Sequence, residues 1–285
     1  MMSGSGTKLK HAAQAVCFLL IAAALYVMFT YVTRNIKPHH RINILGLYME
    51  EENSLDVVAV GASSTYRFWN PMRAYETEGF TSYSYSCGNM LGAMMRTAVE
   101  DVLAHQDPEL ILIDGRRFLD LEVNEEGDTI RPFLDSLDEG ITRLKGLYRY
   151  AKAYDLTLQE FVPLLLDLCY YHDNYDALIS MKHWRLADNR VSEKDLNPFY
   201  IKGFGLISTV NPQERPVFTD MDKCIELSEE MESAYRDFLE YCRSLNRKFL
   251  IVISPAVVGD EELWGYNTLE KIAGEYGIPF WNGVR

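Results

Sequence analysis

The residues most able to do chemistry follow the first apolar run after the N-terminal region: Gly61-Ala62-Ser63-Ser64-Thr65-Tyr66-Arg67. A glycine permits a sharp exit from a strand, and the small residue after it leads to a hydroxyl held at the strand end. Ser63 in that position is a candidate nucleophile, provided a base can take its proton. The competing role is structural, because Ser and Thr after a strand commonly cap the next helix. The segment is not the G-x-S-x-G elbow of α/β-hydrolases, and no G-x-x-x-x-G-K-[ST] loop points to nucleotide binding. The five cysteines (Cys17, Cys87, Cys169, Cys224, Cys242) form no C-x-x-C pair and no metal-ligand spacing, which argues against a zinc site and a disulfide framework.

These residues need a scaffold, and the hydrophobic pattern supplies one. Asp56–Gly61 is a short β-branched run of the kind that fills buried parallel strands. Phe80–Ser86 is a more polar strand candidate. Leu91, Met94, Met95, Ala98, Val99, Val102 and Leu103 fall at helical spacing, and Asp107-Pro108 stops that helix. Leu110–Gly115 reads as a strand. Leu227, Met231, Tyr235, Phe238, Cys242 and Leu245 mark one face of a long helix, Phe249–Ile253 follows as a strand, and Ile278–Trp281 reads as one more after the helix through Tyr276. Alternating strands and helices predict right-handed crossovers and a doubly wound parallel sheet, helices covering both faces. The expected fold class is therefore α/β.

The alternation lapses between about residues 118 and 222, a stretch expected to be a helical insertion. It carries the capping box Thr157-x-x-Glu160 ahead of a leucine-rich run. That run, Leu156–Leu168, holds Pro163 and Asp167 and is too short to span a bilayer, so a buried helix is expected. His172 and His183 also lie in the insertion. Either could substitute as a base at Ser63, against the ordinary structural role of such histidines. Trp69, Trp184, Trp264 and Trp281 could form a sugar-binding wall, packing being the default role. Glu50-Glu51-Glu52 and Glu229-Glu230 read as solvated faces.

Ala12–Val32 is 21 residues without a charge, about the length that crosses a ~30 Å hydrocarbon core as a helix. Lys8 and Lys10 precede it; Arg34, Lys37 and Arg41 follow. A cleavable signal peptide is the competing reading, with Ala22-Ala23-Ala24 as the small residues. The apolar run continues through Val27, Met28 and Phe29, which favours a retained single-pass anchor. The flanking charges leave its direction open. The chain has 285 residues, 28 Lys plus Arg and 41 Asp plus Glu, for a formal charge of −13. That balance argues against phosphate-backbone partners, so no nucleic acid is expected. With 48% hydrophobic and 12% aromatic residues the chain can bury a sizeable core.

Leu55–Arg67, with Asn70-Pro71 after it, resembles the first block of the SGNH (GDSL-like) hydrolases, closest to the membrane-anchored, envelope-associated branch that includes DltD-like proteins. Ser84-Tyr85-Ser86-Cys87-Gly88-Asn89 is similar to the block whose glycine amide serves the oxyanion hole. The layout of an anchor, an insertion with Tyr171-His172, and a Lys202-Gly203 pair is also similar. The resemblance implies a flavodoxin-like SGNH fold over residues 35–285 behind an N-terminal tail and anchor at 1–34. It implies Ser63 as nucleophile, with Ser63, Gly88 and Asn89 around the oxyanion. The implied activity is a serine esterase or O-acyltransferase on an acylated envelope glycan or polymer, on the extracytoplasmic face of the cell membrane. Acyl transfer of this kind requires no metal or organic cofactor.

Two departures from the family pattern stand out. Where the third block carries an oxyanion asparagine in G-x-N-D, this chain has Asp114-Gly115-Arg116-Arg117, which puts Arg117 at that position as a possible substrate-binding group. The family's Asp-x-x-His block follows the last strand, and none of the six histidines (His11, His39, His40, His105, His172, His183) lies there. The expectation is a C-terminally incomplete domain; the alternative is a non-catalytic accessory protein on the same fold. His172 is then a further possible substrate contact.

Overall fold

The computed structural model describes residues 4–33, 43–119, 130–137, 140–166, 171, 176, 179, 200–206, 212–214 and 216–285. The chain divides into two compact units, Met1–Asn35 with Thr157–Arg190, and Ile36–Leu156 with Val191–Arg285.

In the first unit, α1 (Gly4–Thr33) carries the uncharged run as one helix. Its span Lys8–Thr30 has a mean hydropathy of 2.2, and 23 residues at ~1.5 Å each are long enough to cross a bilayer. The capping box forms as expected. Thr157 Oγ1 accepts from the Glu160 amide, and the Glu160 carboxylate accepts from the Thr157 amide at 2.7 Å. The helix it opens is Leu158–Leu165, with Pro163 inside. The expectation of a buried helix is corrected here: Leu158, Val162 and Leu165 are exposed and only Leu164 is buried.

The second unit holds a five-stranded, wholly parallel sheet. In chain order its elements are β1 (Val57–Gly61), α2 (Ser63–Phe68), α3 (Pro71–Glu78), β2 (Ser82–Ser86), α4 (Met95–His105), β3 (Leu110–Asp114) and α5 (Ile141–Ala153). After them come the short pair β4 (Tyr200–Ile201) and β5 (Phe204–Gly205), then α6 (Glu229–Ser244), β6 (Lys248–Ile253), α7 (Asp260–Glu275) and β7 (Phe280–Asn282). The strand order is β2-β1-β3-β6-β7. The region expected to be a helical insertion thus also contains an antiparallel hairpin.

The register decides which side chains share a face. Val58 and Val60 align with Tyr83 and Tyr85, and with Ile111 and Ile113, which align in turn with Phe249 and Ile251. This face is almost fully buried, and each such aliphatic contributes roughly 1.5–3 kcal/mol. Helix α4 lies over it: Asp101 accepts from Tyr85 Oη at 2.5 Å and from Tyr48 Oη at 2.7 Å, so the polar atoms brought inside are paired. Phe118 carries the layer on to α6 through Tyr235 and Phe238, at ring-centroid distances of 4.7 and 5.1 Å.

The opposite face is less evenly covered. Over β1 and β2 it meets α2 and α3, with Trp69 Nε1 donating to Ser82 Oγ at 3.2 Å and stacking on Phe80. Further along, Leu110, Leu250 and Val252 are only partly buried. Among the described residues no helix covers β3, β6 and β7 on this side. Parallel sheets ordinarily have both faces covered; among the described residues this side holds a cavity.

Candidate active site

The C-terminal ends of β1, β2 and β3 converge, as ligand-binding ends of open α/β sheets do. β1 and β2 stay paired up to Gly61 and Ser86, and the Cys87 amide donates to Gly61 O at 3.2 Å. The Ser63 turn and the Gly88-Asn89 turn are therefore neighbours at one sheet edge. Asn89 is exposed with φ 58°, a left-handed conformation that asparagine tolerates better than most residues. The Gly88 amide acts on the Cys87 thiol. Burial pushes that thiol far above its ordinary range, and the amide opposes the shift.

Ser63 is half-buried and is the first residue of α2, directly after β1. Among the described residues its hydroxyl has no hydrogen-bond partner. The next two hydroxyls are committed. Ser64 Oγ and Thr65 Oγ1 both donate to Asp114 Oδ2, the latter at 3.3 Å, and the Ala62 amide approaches the same oxygen at 3.4 Å. Asp114 Oδ1 accepts from the Arg116 amide at 3.2 Å. Asp114, buried at the end of β3, thus clamps the β1–α2 turn. Sequence reasoning did not assign it this role; the available signal was an acid closing the apolar run Leu110–Ile113.

Gly61 is required by this packing. A Cβ there would sit 2.0 Å from Thr65 Oγ1 and 2.4 Å from Asp114 Cβ. The capping role weighed for this segment belongs to other atoms than expected: the N-cap of α2 is Ala62, which makes no side-chain cap.

Arg117 is half-buried, and its Nε donates to Met90 O at 2.7 Å, joining the turn after β3 to the loop after β2. Arg116 lies beside Tyr266 of α7. Burial raises the Tyr266 phenol above its ordinary value, and Arg116 pulls against that rise. The Lys202-Gly203 turn joins β4 and β5 and rests on β2, where Lys202 O accepts from the Ser84 amide at 2.9 Å. Both turn residues have positive φ, the geometry of a tight hairpin. Lys202 Nζ pairs with Glu50.

His172 and His183 lie outside the described residues. His11 is in α1, and His105 ends α4, stacked on Tyr48 at 4.2 Å with Nδ1 2.9 Å from Asp101 O. Among the described residues no His/Cys/Asp/Glu cluster could hold a metal ion. The tryptophans do not make one wall among the described residues. Trp264 is held by Asp220 O and Lys223, Trp184 lies outside the described residues, and Trp69 and Trp281 line the cavity on the open sheet face.

No protein-family model matches this chain, and neither a curated protein nor a solved structure matches it significantly.

Proposed function

We propose that this chain is an SGNH-type serine esterase or O-acyltransferase, held at a membrane by α1, with Ser63 as nucleophile. The carrying observation is the pair of neighbouring strand ends, one presenting a Ser63 hydroxyl that is uncommitted among the described residues and the other the Gly88-Asn89 turn. The strand order β2-β1-β3-β6-β7 supports a flavodoxin-like, doubly wound sheet, and α2 and α4 contribute cover to opposite faces.

In this reading Ser63 Oγ attacks the carbonyl carbon of an acyl ester. The new O–C bond forms as a base takes the hydroxyl proton. Backbone amides of Ser63 and Gly88, with Asn89, are the groups assigned to the developing oxyanion, the Gly88 amide exchanging the Cys87 thiol for it. Collapse breaks the ester C–O bond, and the proton passes to the departing alkoxide. Water or a sugar hydroxyl then takes the acyl group and Ser63 regains its proton. Asp114 fixes the turn that aims Ser63 and does not take the proton itself, since its Oδ2 faces Ser64 and Thr65. The base must come from outside the described residues. The substrate class consistent with a membrane-held, acidic domain is an acylated glycan or polymer of the envelope.

A second reading, a non-catalytic binding protein on the same fold, is favoured by the lack of a base beside Ser63 among the described residues. One experiment separates them. The full chain is treated with a serine-reactive fluorophosphonate beside Ser63→Ala. Labelling of the wild type alone supports the enzyme; equal labelling of both, or none on folded protein, supports the binding protein.

A further inference from the structure

Helix α5 (Ile141–Ala153) has two unlike sides. Its inner side packs closely: at Gly146 an added Cβ would sit 2.9 Å from both Thr97 of α4 and Leu134. Leu147 and Tyr150 are buried, Arg143 pairs with the buried Asp135, and Arg149 pairs with Glu100 of α4. The outer side carries Ile141, Leu144, Lys145, Tyr148 and Lys152, which fall within about 100° of arc at 3.6 residues per turn. Ile141, Leu144 and Tyr148 are 71%, 53% and 65% exposed, and both lysines are exposed. The helix holds four basic residues and no acid, in a chain with 41 acids. Arg143 and Arg149 are spent inward; Lys145 and Lys152 have no ion pair among the described residues.

We infer that the outer side of α5 lies on an anionic bilayer surface, with Ile141, Leu144 and Tyr148 at the headgroup boundary and the two lysines on lipid phosphates. The inference rests on the reading of α1 as a membrane anchor and not on the esterase chemistry. Three observations select this occupant. Exposed apolar side chains beside unpaired cations are the make-up of helices that lie in the plane of the interface. The three apolar residues include a tyrosine, whose ring suits the acyl boundary while its hydroxyl stays hydrated, and lysine stems reach past apolar neighbours to the phosphates. Charge complementarity sets the sign of the lipid. A chain of charge −13 is repelled as a whole by an anionic leaflet, and α5 reverses that repulsion locally. Finally, α1 is long and apolar enough to hold the chain at a bilayer, so that even a weak surface contact is made at high effective concentration.

The test uses the full chain in nanodiscs of phosphatidylcholine, with or without one-third phosphatidylglycerol. A trace lipid carries a diazirine near its headgroup, and adducts are mapped by mass spectrometry. Adducts are expected on both α1 and α5 in the anionic discs, and on α1 alone in pure phosphatidylcholine. The α5 adducts should fall at least fivefold in Lys145→Gln/Lys152→Gln, each lysine being worth about that factor at an anionic leaflet. They should fall as far in Leu144→Ser/Tyr148→Ser, while the α1 adducts stay constant as the internal reference. Adducts on α1 with none on α5 overturn the inference and leave the anchor standing. So do α5 adducts that are equal in the two kinds of disc, or unchanged in both variants shown by circular dichroism to be folded. Adducts on α5 with none on α1 sink the anchor and leave the surface contact. Hydroxyl-radical oxidation of Tyr148 gives the last arm. Protection in anionic discs holding one copy supports the lipid contact; protection only when two copies share a disc assigns the face to a second copy and overturns it.

Discussion

Ser64 and Asp114 are fifty residues apart in sequence, and the Ser64 hydroxyl donates to the Asp114 carboxylate at the junction of β1 and β3. Through this bond the acid at the end of β3 sets the turn that presents Ser63. Asp114→Ala strips the acceptor from two hydroxyls and two backbone amides in a buried place. Hydrogen bonds to a charged group are each worth about 1.5–3 kcal/mol and do not add. The expected loss is about 3 kcal/mol, read as a fall in the thermal midpoint by intrinsic fluorescence. Asp114→Asn should recover part of it. A midpoint unchanged in both variants would show that the clamp is not formed in solution.

Gly61 and Gly79 make a paired test of what a glycine is for. At Gly61 an added Cβ collides with Thr65 and with the Asp114 Cβ, neither of which can retreat without breaking the clamp. Gly61→Ala is expected to cost several kcal/mol, more than a usual overpacking substitution of about 1–3 kcal/mol. Gly79 closes α3 with φ 81° and has open space around it, so Gly79→Ala should cost only about 1 kcal/mol, from the left-handed backbone alone. Comparable losses at the two positions would contradict the close approach at Gly61.

Glu100 predicts a pH dependence. Burial alone would raise its carboxyl, but hydrogen bonds and charge from Arg149, with Arg96, hold it below the ordinary glutamate value. The Arg149 fork reaches it at 2.6 and 2.8 Å and ties α5 to α4. A depressed acid contributes stability that is complete above its unfolded pKa and is lost as pH falls through the folded one. With both side chains partly exposed, the contribution is about 1 kcal/mol. The midpoint gap between wild type and Glu100→Gln should be open at pH 7 and close below about pH 4. A gap that stays constant on acidification refutes this.

Thiol reactivity should follow burial. Cys87 and Cys242 are buried, and burial pushes both thiols far above their ordinary range; Cys224 is exposed. At pH 8 iodoacetamide is expected to alkylate Cys224 within minutes and to leave Cys87 and Cys242 unmodified until denaturant is added, as mapped by peptide mass spectrometry. Rapid native labelling of Cys87 would mean that the loop carrying Gly88 opens.

Much of the architecture was legible because it is written in local periodicity. The runs at Val57–Gly61, Leu110–Asp114 and Lys248–Ile253 are β-branched or leucine-rich and short, and each became a strand of the parallel sheet. The helix expected from Leu91 begins as a 3-10 turn at Gly92–Met94 and becomes α-helical at Met95, a boundary that spacing cannot resolve. The leucine-rich run after Thr157 is a capped helix, as its capping box predicts, but it is mostly exposed, since apolar composition does not say whether a partner surface exists.

The sequence by itself determined the strands of the parallel sheet, the uncharged N-terminal helix and the candidate Ser63, because each depends on residues within a few positions of one another. The tertiary structure alone decided that Asp114 takes Ser64 and Thr65 while Ser63 stays uncommitted among the described residues, that Arg117 is tied to Met90, and that Phe68 stacks on Trp281. These pairings join residues that are 27 to 213 positions apart. They follow from strand order and register, which are set by how the whole sheet buries its two faces.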